Sequence, residues 1–143
     1  MKFKWLFTQK KTDWDELSNL YKLAPLGEKD PTDLEISFKN SMYKCFIYES
    51  NHLIGAGRAL ADGVDCSYIC DVAVLPSHQG HGLGKEIIKK LIKLSDGHKK
   101  IILYSVPGKE SFYRKSGFMH MNTAMAIFDN QKQAVLSGLI SEA

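Results

Sequence analysis

Apolar positions change period several times along the chain, and each change marks an element. Phe3-Lys4-Trp5-Leu6-Phe7 predicts a short first strand. Trp14, Leu17, Leu20, Tyr21 and Ala24 recur at helical spacing behind the cap residues Thr12 and Asp13, and Pro25 and Gly27 stop that helix. Asp30-Pro31 opens a second helix with Leu34, Phe38 and Met42 on one face; Thr32 and Glu35 have capping-box spacing. Tyr43 to Tyr48 and Leu53 to Ala61 predict two strands joined at Ser50-Asn51-His52, and Gly55 and Gly57 suit a bulge or a close backbone approach. After the hairpin signal Asp62-Gly63, the run Tyr68 to Leu75 predicts a buried strand that Pro76 ends. Leu83, Ile87, Ile88, Leu91, Ile92 and Leu94 form the stripe of a third helix, with Gly97 beyond it. Ile101 to Val106 predicts a strand, and Pro107-Gly108 leads to a short helix with Phe112 and Tyr113. Two last strands are expected at Met119–Met121 and Ala124–Phe128, before a weakly helical tail broken by Gly138.

The order β-α-α-β-β-β-α-β-α-β-β predicts an α/β (α+β) chain. Its sheet would be mixed, mostly antiparallel and twisted, with about seven strands, about four helices and one βαβ crossover. With 143 residues and 44% hydrophobic content, a single domain over residues 1–143 is expected. Its tail, residues 129–143, carries Ala134, Val135, Leu136, Leu139 and Ile140 and is expected to pack across the sheet or on a second copy in a homodimer.

Charge and cysteine content remove several classes of function. A net charge of +3, with lysines scattered along helices, argues against nucleic acid as a partner. No apolar run approaches a membrane span, and Thr8-Gln9-Lys10-Lys11 interrupts any signal-like segment, so no membrane partner and a cytoplasmic location are expected. Three cysteines, Cys45, Cys66 and Cys70, lack CxxC spacing, and the histidines lack HxxxH or HExxH spacing, so no metal is expected.

The chemistry concentrates between Tyr68 and Leu94. Strand, glycine turn and helix together aim unpaired helix N–H groups at an anion. A Walker A loop would need Ser or Thr after Gly84-Lys85, and Glu86 stands there. A dinucleotide fingerprint would need glycine at Lys85. What remains, Gln79-x-x-Gly82-x-Gly84 after a strand, resembles the pyrophosphate loop of the GNAT superfamily of acetyl-coenzyme A-dependent N-acetyltransferases. Phe112-Tyr113-Arg114-Lys115-Ser116-Gly117-Phe118 resembles that family's later helix, and the resemblance covers nearly the whole chain.

The resemblance implies a sheet splayed between its fourth and fifth strands, with acetyl-coenzyme A as co-substrate in the slot. Gln79, Gly80, His81, Gly82, Leu83, Gly84 and Lys85 would surround the pyrophosphate. The backbone of Val72, Ala73 and Val74 would pair with the pantetheine arm like an added strand. Ser105 and Phe112 would line the other side. Tyr113 would protonate the departing thiolate. Tyr68 matches the position where several members hold a glutamate or histidine base; a tyrosine, with a pKa of about 10, suits pocket shaping or water ordering better. Asp71 matches an acidic position of polyamine acetyltransferases, although strict strand alternation puts it on the face opposite Tyr68 and Cys70.

The expected reaction is direct attack of a primary amine on the thioester. Glu28, Asp30, Asp33 and Glu35 around the loop between the first two helices suggest a small cationic acceptor, although helix-terminal acids explain three of them equally well. A protein lysine or N-terminal acetyltransferase and a non-catalytic acyl-coenzyme A binder are the alternatives; Tyr113 speaks against the second.

Overall fold

The computed structural model describes residues 2–142. The chain divides into two units, Met1–Leu103 and Tyr104–Ala143. In the first, β1 (Lys4–Leu6), β2 (Tyr43–Glu49), β3 (His52–Ala61), β4 (Cys66–Val74) and β5 (Lys100–Ile102) lie side by side in chain order. The first three pairings are antiparallel and β4–β5 is parallel. Short turns enforce the β2–β3 and β3–β4 pairs, whereas two helices intervene between β1 and β2. The parallel pair needs a crossover, which α3 (Leu83–Leu94) supplies.

Local chemistry sets the helix ends. The Asp13 side chain accepts from the N–H groups of Asp15 (3.0 Å) and Glu16 (3.2 Å) and so starts α1 (Trp14–Leu23). Asp30 does the same for α2 (Pro31–Lys39), accepting from Thr32 (2.8 Å) and Asp33 (3.2 Å). The capping box expected of Thr32 and Glu35 does not form, because Asp30 takes that place and Glu35 pairs with Lys39 at 3.4 Å. At the far end of α3, Ser95 serves as cap instead of Gly97. Its N–H and hydroxyl both donate to the Leu91 carbonyl, and its Oγ lies 2.7 Å from Ser67 Oγ of β4.

Each face of the sheet is covered. Leu17, Leu20 and Tyr21 of α1 and Leu34 and Phe38 of α2 pack with Phe46, Ala56 and Ala73. On the other face α3 buries Leu83, Ile87, Ile88 and Leu91. Each such side chain stabilises the fold by about 1.5–3 kcal/mol relative to exposure. Helix and sheet come very close at Gly57, where a Cβ would lie 2.8 Å from Ile87 Cγ2 and 3.1 Å from Leu91 Cδ1.

The second unit holds α4 (Glu110–Arg114) and α5 (Gln131–Leu136). The sheet has five strands, not about seven. The run Ile101–Val106 contributes only to β5, and no strand forms at Met119–Met121 or Ala124–Phe128 among the described residues. Their apolar residues have strand character but lack a ladder partner, and Met119, Met125 and Ile127 stay 88%, 97% and 95% exposed. The tail supplies a fifth helix, capped by Asn130, and Ala134 is buried while Leu136 is exposed. Among the described residues no helix is long and apolar enough to cross a membrane.

Candidate active site

The strand β4 changes character half-way. Cys66, Ser67 and Tyr68 pair with β5 on one edge, at Lys100, Ile101 and Ile102. Ser67 and Tyr68 also pair with β3, so this end is laddered on both sides. From Ile69 to Val74 only the β3 edge is paired; among the described residues no strand takes the other. The splay expected between the fourth and fifth strands is therefore present as an open strand edge.

Where the splay begins, β4 bulges. Arg58 stands opposite Cys70 and Ala56 opposite Ala73, so Gly57 alone faces both Asp71 and Val72. Asp71 takes a left-handed φ of 56°. The extra residue breaks the alternation that would have put Asp71 on the α3 face. Its carboxylate instead turns to the α1–α2 face, where Oδ2 accepts from Arg58 Nε at 2.8 Å and Oδ1 lies 3.5 Å from Lys29 Nζ. The Asp71 carbonyl accepts a 2.7 Å hydrogen bond from the Tyr21 hydroxyl. Burial, reinforced by the Asp71 charge, pushes that hydroxyl well above its ordinary pKa, so it remains a donor. Burial also raises the neighbouring Cys70 thiol to about 11, so it is not a thiolate nucleophile near neutral pH.

Beyond β4 the chain makes a single 3₁₀ turn, Pro76–His78. The Gln79 amide donates back to the Val74 carbonyl at 2.9 Å and ties the loop to the strand end. His78 Nε2 lies 2.8 Å from Glu49 Oε1 and Nδ1 2.8 Å from Ser77 Oγ, which engages both ring nitrogens. Gly80 and Gly82 have φ of 84° and 79°. A Cβ at either would meet nothing within 4 Å, so glycine serves the left-handed backbone there and leaves the outer surface clear. Gly82 is the N-cap of α3, and no side chain caps that helix. The N–H groups of Leu83, Gly84 and Lys85 begin the helix without intrahelical partners, at the positive end of its dipole. The Leu83 side chain is buried, whereas His81 and Lys85 are exposed.

Val72, Ala73 and Val74 lie on the open-edged half of β4, and Tyr68 is its last residue with strand partners on both sides. In the second unit, Ser105 is half-buried. Tyr113 lies edge-on to Phe112, with ring centroids 5.0 Å apart, and to Phe118 at 6.3 Å. Burial raises its hydroxyl pKa. The turn after α4 closes through Phe118 N–H to Tyr113 O (3.2 Å) and Gly117 N–H to Arg114 O (3.0 Å), which fixes the Tyr113 backbone. An open cleft of about 550 Å³ lies elsewhere in the first unit, bordered by Glu16, Asn19, Glu49, His52 and His78; none of the expected site residues lines it.

Sequence reasoning missed Arg58 and Lys29. One signal was available. An arginine in one apolar strand run and an aspartate in the next are two isolated opposite charges that an antiparallel pair can bring together. Among the described residues no group of three or more His, Cys, Asp or Glu could hold a metal ion.

Residues 11–118 match the family model described as the acetyltransferase (GNAT) family. The chain belongs to the GNAT family. This membership makes it an acyltransferase and accounts for the two motifs at Gln79–Gly84 and Phe112–Phe118. Among curated proteins, it is 31% identical over 123 residues to an uncharacterized ycf52-like N-acetyltransferase of Prochlorococcus marinus, covering 81% of this chain and 68% of that one. It is 32% identical over 109 residues to the chloroplastic GCN5-related N-acetyltransferase 1 of Arabidopsis thaliana, over 73% of this chain but only 55% of that protein. Among solved structures, a probable acetyltransferase of Staphylococcus aureus superposes with a TM-score of 0.77 at 24% identity, over 89% of this chain and 99% of that one. The protein AAC(6')-Iy, solved in complex with a bisubstrate analogue, CoA-S-monomethyl-acetylneamine, gives 0.68 at 16%, over 91% and 99%. At those identities the structures speak for the GNAT fold.

Proposed function

We propose that this chain transfers the acetyl group of acetyl-coenzyme A to the primary amine of a small molecule by direct attack. The observation that carries the reading is the open edge of β4 from Ile69 to Val74, running straight into the uncapped start of α3. An extended amide-bearing arm fits an open strand edge, and a diphosphate fits free N–H groups at a helix start. The match of family and the coenzyme A analogue held by AAC(6')-Iy support the same co-substrate.

Acetyl-coenzyme A brings an activated acetyl thioester, so the protein needs no nucleophile of its own. The chain's task is to hold two partners in line, which can supply much of the rate. Val72, Ala73 and Val74 offer backbone groups to the pantetheine arm. The N–H groups from Gly80 to Lys85 hold the pyrophosphate, with Gln79 fixing the loop. Tyr113 gives its proton to the departing thiolate, and burial keeps that proton on through neutral and mildly alkaline pH. Tyr68 shapes the acceptor side. Asp71 positions the neighbouring cations; both its oxygens are already engaged, which leaves removal of the ammonium proton to water.

Release of free coenzyme A thiol, followed across a panel of small amines and a lysine peptide, tests the reading. Turnover with small amines and little with the peptide is expected. Efficient use of the peptide alone would move the assignment to a protein acetyltransferase. Acetyl-coenzyme A binding without turnover of any acceptor would make the chain a binder.

A further inference from the structure

On the α1–α2 face beside the bulge, Arg58, Lys29 and Lys44 gather around a single ion-paired carboxylate, Asp71. Arg58, opposite Cys70 in the sheet, is 15% exposed at its side chain, and Lys29, from the loop between α1 and α2, is 29% exposed. Lys44 pairs with Arg58 across β2–β3 and is itself buried. Among the described residues Asp71 is the only carboxylate in an ion pair with any of the three. Lys44 is otherwise satisfied, because its ammonium donates to the Phe38 carbonyl at 2.6 Å and to Gln9 Oε1 at 3.0 Å. Arg58 gives Nε to Asp71 and Nη1 to Ser41 Oγ at 3.2 Å, which leaves three of its five N–H donors. Lys29 reaches Asp71 only at 3.5 Å and sits 5.6 Å from the Tyr21 ring centroid, so its ammonium donors stay open. The Lys29 carbonyl accepts from the Ser18 hydroxyl at 2.6 Å, which pins this loop residue to α1.

Two of the four acids that suggested a cationic acceptor are engaged elsewhere. Asp30 caps α2 and Glu35 pairs with Lys39. Half-buried excess charge is costly unless something of opposite sign meets it. We infer that Lys29 and Arg58 bind an anionic group of the acceptor, so that the substrate is an amine which also carries a carboxylate or a phosphate. Arg58 offers a planar fork and Lys29 a point charge, a pairing suited to an oxyanion. This rests on the acetyltransferase reading above and names its substrate class.

The test compares amines in matched pairs: 2-aminoethyl phosphate against ethanolamine, and an α-amino acid against its amide. In each pair the anion-bearing amine should show kcat/KM at least about tenfold higher, since an opposed charge pair is worth roughly that factor. Lys29→Gln should raise KM for the anion-bearing partner about tenfold with little change in kcat, and Lys29→Arg should restore it. Equal or better use of the uncharged partners by the wild type overturns the inference and leaves the acetyltransferase reading standing. A preference undiminished in Lys29→Gln overturns it too. Failure of all four amines while other amines of the panel are acetylated overturns the inference alone; no turnover of any acceptor, with acetyl-coenzyme A still binding, overturns the reading underneath and this inference with it. Phosphate against carboxylate is decided by which pair shows the larger gap.

Discussion

The two parts of β4 belong to one strand and have opposite fates. Ser67 and Tyr68 are held by strands on both edges, and Ser67 is fastened to the end of α3 by its buried contact with Ser95. Ile69 to Val74 has a partner on one edge only, carries a residue with positive φ, and runs into a helix start with no side-chain cap. The first half spends its backbone groups on the fold. The second keeps some in reserve, and unpaired backbone groups in an ordered setting are what an extended ligand can use. Two glycines make the same contrast. Gly57 is required by space, because α3 presses on it; Gly82 is required by backbone angle, with open space around it.

Variants can sharpen this contrast or break it. The largest effect is expected where binding is spared. Tyr113→Phe should cut turnover by roughly ten- to a thousand-fold while the acetyl-coenzyme A Kd stays within about twofold, because the lost proton donor acts in the chemical step. The alkaline fall in wild-type kcat should come at higher pH than an ordinary tyrosine hydroxyl would give, because burial raises the Tyr113 pKa; activity persists below the raised pKa and is lost as pH rises through it. Full activity in the variant removes Tyr113 from the mechanism.

Gly82→Asp comes next. A side chain there meets no protein atom within 4 Å, so the melting temperature should fall only modestly, while strain and a repelling charge weaken acetyl-coenzyme A by about a hundredfold in calorimetry. Unchanged affinity would show that the open half does not lead to the pyrophosphate. Gly57→Ala should do the reverse and lose about 1–3 kcal/mol of stability in denaturant titration, since its Cβ would sit 2.8 Å from Ile87 Cγ2. Stability at the parental level would mean that α3 can shift outward freely. Ser67→Ala is the mildest. It removes one buried hydroxyl contact and should cost about 1 kcal/mol with no change in ligand affinity. A loss of affinity would tie the closed half to the site and break the contrast.

What the sequence disclosed follows the range of the interactions. Asp13, Asp30-Pro31 and the stripe of α3 act within a few residues, and the helices they predict are present. The loop Gln79–Gly84 was legible for the same reason. The Met119–Met121 and Ala124–Phe128 runs have strand composition, yet a strand exists only when another pairs with it, and local pattern carries no such information. Asp71 is the sharpest case. Alternation placed it on one face, but the bulge against Gly57 placed it on the other, beside an arginine 13 residues earlier in the chain. Lys29 is more distant still, and only the fold brings it to the same carboxylate.

The central claim, that acetyl-coenzyme A lies along the open half of β4 and against the start of α3, is tested most directly by amide hydrogen exchange with and without acetyl-coenzyme A. Exchange should slow on binding within Ile69–Val74 and Gly80–Lys85, and should change little at Ser67 and Tyr68, whose edges are already paired. Protection that appears elsewhere, with Ile69–Val74 and Gly80–Lys85 exchanging as before, would contradict it.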